Sequence, residues 1–180
     1  MAFVASMLAA CSGPALKPVQ LVDTTVLGPF APTQLLINPR TSYPRFYESR
    51  IDYLNKCLVE TKAFRALGSR INSPIVIEAT LDRGSDENIG QQTAQVLSAA
   101  TLFLVPAPIN LYNSLTVDMY VNGALVKHFE YRENYATDTG IYNMPKLGTD
   151  KDPEFLAIRN LAYRFVNDVE RESLLPRSLD

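Results

Sequence analysis

The stretch from Leu115 to Tyr135 constrains the fold more than any other part of the chain. Leu115-Thr116-Val117-Asp118-Met119-Tyr120-Val121 alternates apolar and polar residues, the period-two signature of a strand buried on one face. Asn122-Gly123 follows, and this pair accepts the positive φ angles that a tight hairpin requires. Beyond it, Leu125, Phe129, Tyr131 and Tyr135 share one face of a returning strand. A two-residue loop with regular pairing would set Val117 opposite His128 and turn those aromatic residues outward. Pairing Val121 with Leu125 and Val117 with Phe129 keeps one apolar face, so the pattern predicts a three-residue loop or a bulge near the turn.

Two further strands precede this hairpin. Gln34-Leu35-Leu36-Ile37 is a short apolar run stopped by Asn38-Pro39, and Ile75-Val76-Ile77-Glu78-Ala79-Thr80-Leu81 begins β-branched and then alternates. Between them Tyr47, Ile51, Leu54 and Leu58 fall at helical spacing, with Tyr53, Cys57 and Phe64 widening the stripe. This predicts a helix from about Arg45 to a stop at Gly68. Asp152-Pro153-Glu154 opens a second helix with a capping Asp, a proline in the first position and an acid in the first turn. Its buried stripe is Phe155, Ile158, Ala162, Phe165 and Val169, and Arg177 to Asp180 are expected to fray. Asp82 to Gly90 reads as a charged loop and Asp138 to Lys151 as a turn-rich connection. The order strand, helix, strand, hairpin, helix implies an α/β (α+β) fold. We expect a small mixed sheet of about four to five strands with two helices packed on one face.

The totals exclude several classes of function. The 180 residues suit one domain, and 47% hydrophobic with 20% charged residues is globular composition. The net charge is −2 and the 17 Lys and Arg are scattered singly, which argues against nucleic acid as a partner. Gly-x-Ser-x-Gly, Walker, Cys-x-x-Cys and His-Glu-x-x-His motifs are absent from the sequence. The single histidine, His128, falls on the strand face opposite Phe129, so it is expected to see solvent. Cys57 sits on the apolar helical stripe, where burial disfavours the thiolate, so a Cys57–His128 dyad is a remote option. Asp82, Asp86 and Glu87 match no calcium-loop spacing. No catalytic residue, cofactor or metal ligand is therefore assigned, and an enzyme is the less favoured class.

The N-terminus carries the most specific signal of location. The apolar run Ala2 to Ala10 ends Leu8-Ala9-Ala10-Cys11, and a polar, proline-bearing segment follows at once. This resembles the lipobox of bacterial lipoproteins, in which the cysteine thiol takes a diacylglycerol before cleavage. The resemblance implies a signal peptide over residues 1–10, lipidation at Cys11 and membrane attachment through that lipid. Ser12 in place of Asp implies the outer membrane, with the body in the periplasm. Cleavage would leave Cys57 as the single remaining thiol. Pro14, Pro18, Pro29 and Pro32 mark residues 11–33 as a tether, which fully extended would reach on the order of 60 Å. The alternative reading makes Val19 to Leu27 an edge strand. With residues 11–33 as the tether, the single α/β domain spans 34–180.

The element order, with Leu102-Phe103-Leu104-Val105-Pro106 ahead of a hairpin, resembles compact α/β lipoproteins of Gram-negative envelopes, the exopolysaccharide-export lipoprotein PelC and TolB N-terminal-like modules. The functional expectation is a lipid-anchored structural or partner-binding component of an envelope assembly, working with a protein partner or as a homo-oligomer. The alternative is a periplasmic enzyme or ligand-binding module with an unrecognised site. Val96 to Ile109 is the most apolar stretch after the signal segment. It is either a buried core segment or a surface. Four consecutive large apolar residues, Leu102, Phe103, Leu104 and Val105, cannot all face inward, so they form the candidate interaction surface, with Phe103 foremost.

Overall fold

The computed structural model describes residues 16–23, 28–39, 44–86, 89–101, 107–138 and 152–177. Five strands, β1 (Thr33–Pro39), β2 (Leu67–Gly68), β3 (Ile75–Ser85), β4 (Pro108–Val121) and β5 (Ala124–Asp138), form one sheet in the order β2-β1-β3-β4-β5. β2 and β3 run parallel to β1, whereas β3, β4 and β5 are antiparallel neighbours. Of the helices α1 (Pro44–Glu60), α2 (Ile89–Ala100) and α3 (Pro153–Glu172), the first and third were expected. They lie together on one face of the sheet, as the α/β reading required.

The alternation seen in the sequence fills the core. Ile75, Ile77, Ala79 and Leu81 of β3 and Leu115, Val117 and Met119 of β4 point to the helix face. There they meet Leu54, Cys57 and Leu58 of α1 and Ile158, Leu161, Phe165 and Val166 of α3. Phe129 of β5 meets Phe165 edge-on, with ring centroids 5.7 Å apart.

The hairpin resolves its register conflict by a bulge and not by a longer loop. Asn122 and Gly123 take φ of 52° and 78° and form a two-residue turn, so Val121 pairs with Ala124. The register then shifts between Met119 and Tyr120, and Val117 faces Phe129 as the apolar pattern demanded. The extra residue takes Leu125 off the apolar face, and it is 56% exposed.

Other boundaries moved for identifiable reasons. α1 stops at Glu60, eight residues short of Gly68, and Lys62 enters the left-handed region at φ 56°. The residues read as its end, Leu67 and Gly68, instead pair with Thr33 and Gln34 as a short edge strand. β3 runs through the supposed charged loop to Ser85, because Arg83 turns inward to a buried carboxylate and Gly84 leaves room for the Tyr112 ring. A Cβ at Gly84 would collide with the Tyr112 phenol. α2 was not foreseen, and it occupies residues read as the end of that loop and the start of the apolar stretch. Arg177 is ordered. Its backbone pairs with Phe30, and its guanidinium lies 4.2 Å from the Phe30 ring centroid and pairs with Glu170. No strand forms over residues 19–23. Residues 24–27, 139–151 and 178–180 lie outside the described residues.

Candidate functional site

The sheet has two ends, the hairpin turn at Asn122-Gly123 and a far end where Ser85 pairs with Leu111 and Pro108 with Asp138. α3 begins at the far end. Asp152 caps it by accepting from the Glu154 amide at 2.9 Å, and Pro153 fixes the first helical residue. Burial pushes the Asp152 carboxyl above the usual carboxylate range, against the Glu154 amide that favours its charge.

Glu154 is the centre of a buried polar cluster. Arg50 of α1 grips its carboxylate in two places, Nε to Oε1 at 2.6 Å and Nη2 to Oε2 at 3.0 Å. Arg83 of β3 lies 3.4 Å from Oε1 and donates to the Tyr135 hydroxyl at 3.2 Å. Asn113 of β4 donates to the Glu154 carbonyl at 3.3 Å, while its Oδ1 is buried without a hydrogen-bond partner. Tyr135 is held neutral, first by burial and then by the nearby Glu154 charge. The cluster therefore ties α1, β3, β4 and β5 to the first turn of α3. Its carboxylate is saturated by two arginines at a helix N-terminus, which suits a clamp better than a proton carrier.

A second buried carboxylate, Glu133, lies on the cross-strand partner of Asn113 and pairs with Arg164 at 2.7 Å. Asn160, fully buried on α3, donates to Glu133 at 3.3 Å and also reaches the N-terminal segment. The Val19 amide donates to Asn160 Oδ1 at 2.9 Å, and Asn160 Nδ2 donates to the Lys17 carbonyl at 2.9 Å. Two helical turns on, Asn167 does the same for Val22 and Gln20, at 2.8 and 2.9 Å. Seven helical residues advance about 10.5 Å and three extended residues about 10 Å, so the two periods match. Each asparagine amide thus imitates the edge of a neighbouring strand. Leu16 packs beside Leu111, Tyr135 and Ala157, and Leu21 packs on the main core.

Replacing Asn160 with Leu should remove one rung of this ladder and leave buried Glu133 with one partner fewer. Hydrogen exchange should then accelerate at the Val19 amide by tenfold or more while core amides of β4 stay protected. Unchanged exchange at Val19 would show that the segment is held by its apolar contacts alone.

Of the residues singled out in the sequence, Cys11 and Leu102 to Val105 lie outside the described residues. The described chain begins at Leu16, and Thr101 and Ala107 flank residues 102–106, with Ala107 buried. Cys57 and His128 are on opposite faces of the sheet. Burial pushes the Cys57 thiol up to about 11. His128 is exposed and hydrogen-bonds Asp118 at 2.6 Å and Glu130 at 3.2 Å, contacts that raise it above its ordinary value. Asp82 accepts from the Arg83 amide and Asp86 pairs with Arg132, whose guanidinium covers Tyr112. Among the described residues no group of acids, histidines or cysteines could hold a metal. No described helix is long and apolar enough to cross a membrane.

α2 has no counterpart among the elements expected from the sequence. Beyond its length, its notable property is what it lacks: from Ile89 to Val117 the chain has no Asp, Glu, Lys, Arg or His. Val96 and Leu97 on α2 are 70% and 57% exposed. The helix is rooted at the far end of the sheet, since the Asp86 amide before it donates to the Asn110 carbonyl and β4 starts soon after it.

No family model and no curated protein matches this chain. Among solved structures, it is similar to a minor lipoprotein from Acinetobacter baumannii, at 12% identity and TM-score 0.46, covering 85% of this chain and 99% of that one. A rare lipoprotein B from Shewanella oneidensis matches at 10% identity and TM-score 0.36, over 78% of this chain and 92% of that one. A PelC dodecamer from Paraburkholderia phytofirmans matches at 10% identity and TM-score 0.35, over 90% and 95%. At such identities and scores, no task passes from these proteins to this chain.

Proposed function

We propose that this chain is a bacterial envelope lipoprotein, lipidated at Cys11 and held on the outer membrane facing the periplasm. Its α/β domain serves as a structural or partner-binding component of an envelope assembly and not as an enzyme. The observation that carries this reading is Leu8-Ala9-Ala10-Cys11, whose cysteine stands five residues ahead of Leu16, the first described residue and one packed on the domain. The internally paired Glu154 and Glu133 clusters support a load-sharing role for the polar residues rather than catalysis.

Metabolic labelling with a palmitate analogue in the native host should mark the wild type and leave Cys11→Ser unmarked. The labelled protein should co-sediment with outer membranes on a density gradient. Equal labelling of both forms, or labelled protein in the inner-membrane fraction, would refute the anchor or its address respectively. Crosslinking in intact cells should attach the wild type to a second protein or a second copy.

A further inference from the structure

We infer that α2 lies on the lipid surface beside the Cys11 anchor, with Val96 and Leu97 as its membrane-facing residues. The inference rests on the lipid-anchored reading above and adds to it which end of the domain faces the bilayer.

The length of the linking segment sets the geometry. Lys17 to Val22 are fixed along α3, so only the residues between Cys11 and Leu16 are left to span the gap. Five residues reach at most about 17 Å, so a lipid on Cys11 holds the bilayer within that distance of Leu16. Leu16 packs against the cluster of Leu111, Tyr135 and Ala157, and Leu111 pairs with Ser85, the residue where β3 ends ahead of α2. β4 begins at Pro108, which pairs with Asp138 at the same end. The anchor and both roots of α2 therefore share one end of the sheet. α2 itself, at about 18 Å long, has the reach to meet the surface.

The chemistry selects lipid over water or a charged partner. Val96 and Leu97 are adjacent and both more than half exposed, which leaves an apolar ridge on a helix whose other side chains are small or uncharged. A helix with no ionised group meets no charge-burial penalty on entering the interface. It also lacks the basic face by which many interfacial helices bind anionic lipid, so its contact depends on apolar burial beside an anchor that is already in place. The hairpin end offers the contrast. Leu125 and Val126 are also exposed, but they stand next to Lys127, His128 and Glu130. They are roughly 30 Å along the sheet from Leu111.

The test uses the full lipidated protein in vesicles of phosphatidylethanolamine and phosphatidylglycerol. Val96→Cys and, separately, Val126→Cys are labelled with a polarity-sensitive fluorophore; Cys57 is buried and the Cys11 thiol is blocked by its lipid. Spin-labelled lipid should quench the label at position 96 at least threefold more than the label at 126. Equal quenching at both sites, or none at 96, would overturn the inference while leaving the anchor intact. A blue shift at 96 without lipid quenching would assign the ridge to a protein contact and overturn it as well. If mass spectrometry shows Cys11 without lipid, the anchored reading fails, and this inference falls with it.

Discussion

Truncating Phe165 to alanine should destabilise the domain by roughly 3–5 kcal/mol, the range for removing a buried aromatic ring. The side chain is 1% exposed, stands edge-on to Phe129 and faces both β4 and β5 from the middle of α3. The cavity could close only if α3 moved, and that helix is pinned at its N-terminal end by the Glu154 cluster and at its C-terminal end by Arg177. Urea unfolding followed by far-ultraviolet dichroism measures the change in midpoint. Phe129→Ala should cost less, because Phe129 lies nearer the sheet edge and is 7% exposed. A Phe165→Ala midpoint within error of wild type would mean that the helix presents another face to the sheet.

Glu154→Gln should cost about 3 kcal/mol, the low end for breaking a buried ion pair by removing one partner. Two arginines would then share a neutral amide. They can relieve part of the penalty by turning outward, since the Arg50 and Arg83 side chains retain 14% and 34% exposure. Arg50→Met combined with Glu154→Leu should recover part of the loss, because together the two changes remove both charges between α1 and α3, while Arg83 keeps its bond to the Tyr135 hydroxyl and its partial exposure. A double-mutant cycle reads the coupling directly. Coupling below about 0.5 kcal/mol would demote the pair to a surface contact.

These two sites differ in how visible they were in the sequence. Phe165 and Phe129 were legible because each sits on an uninterrupted apolar period, and the hairpin register followed from keeping that period on one face. The Glu154 cluster was not legible. Glu154 was read as a first-turn acid complementing the helix dipole, which is true of its backbone position but silent about its side chain. Its partners Arg50, Arg83 and Asn113 come from three elements far apart in the chain. Arg83 fell in the stretch read as a charged loop, Arg50 on the polar face of the first helix, and Asn113 ahead of the strand read from Leu115. Asn160 and Glu133 were missed in the same way, since a buried polar residue interrupts the pattern that locates a core.

The failure at α2 has a different cause. A helix is recognised by an apolar stripe set against a charged face, and residues 89–100 carry no charged face at all. Gln, Ser, Thr and Ala around Ile89, Val96 and Leu97 fit a loop equally well by pattern. The extension of β3 through Asp82 and Arg83 was hidden for the complementary reason: charges and a glycine suggested a turn, whereas the glycine admits a tyrosine ring.

The ladder of Asn160 and Asn167 has a mechanical consequence. Any force applied at residue 11 enters the domain through the strand-like segment that these two side chains hold, and the segment runs in the same direction as α3. Tension along the helix axis loads both rungs, together with the Leu16 and Leu21 contacts, in shear and at once. Tension away from the helix instead peels the segment open, with the Asn160 rung carrying the whole load before the Asn167 rung carries any. The attachment is therefore stiff to a pull along the α3 axis and compliant to a pull across it.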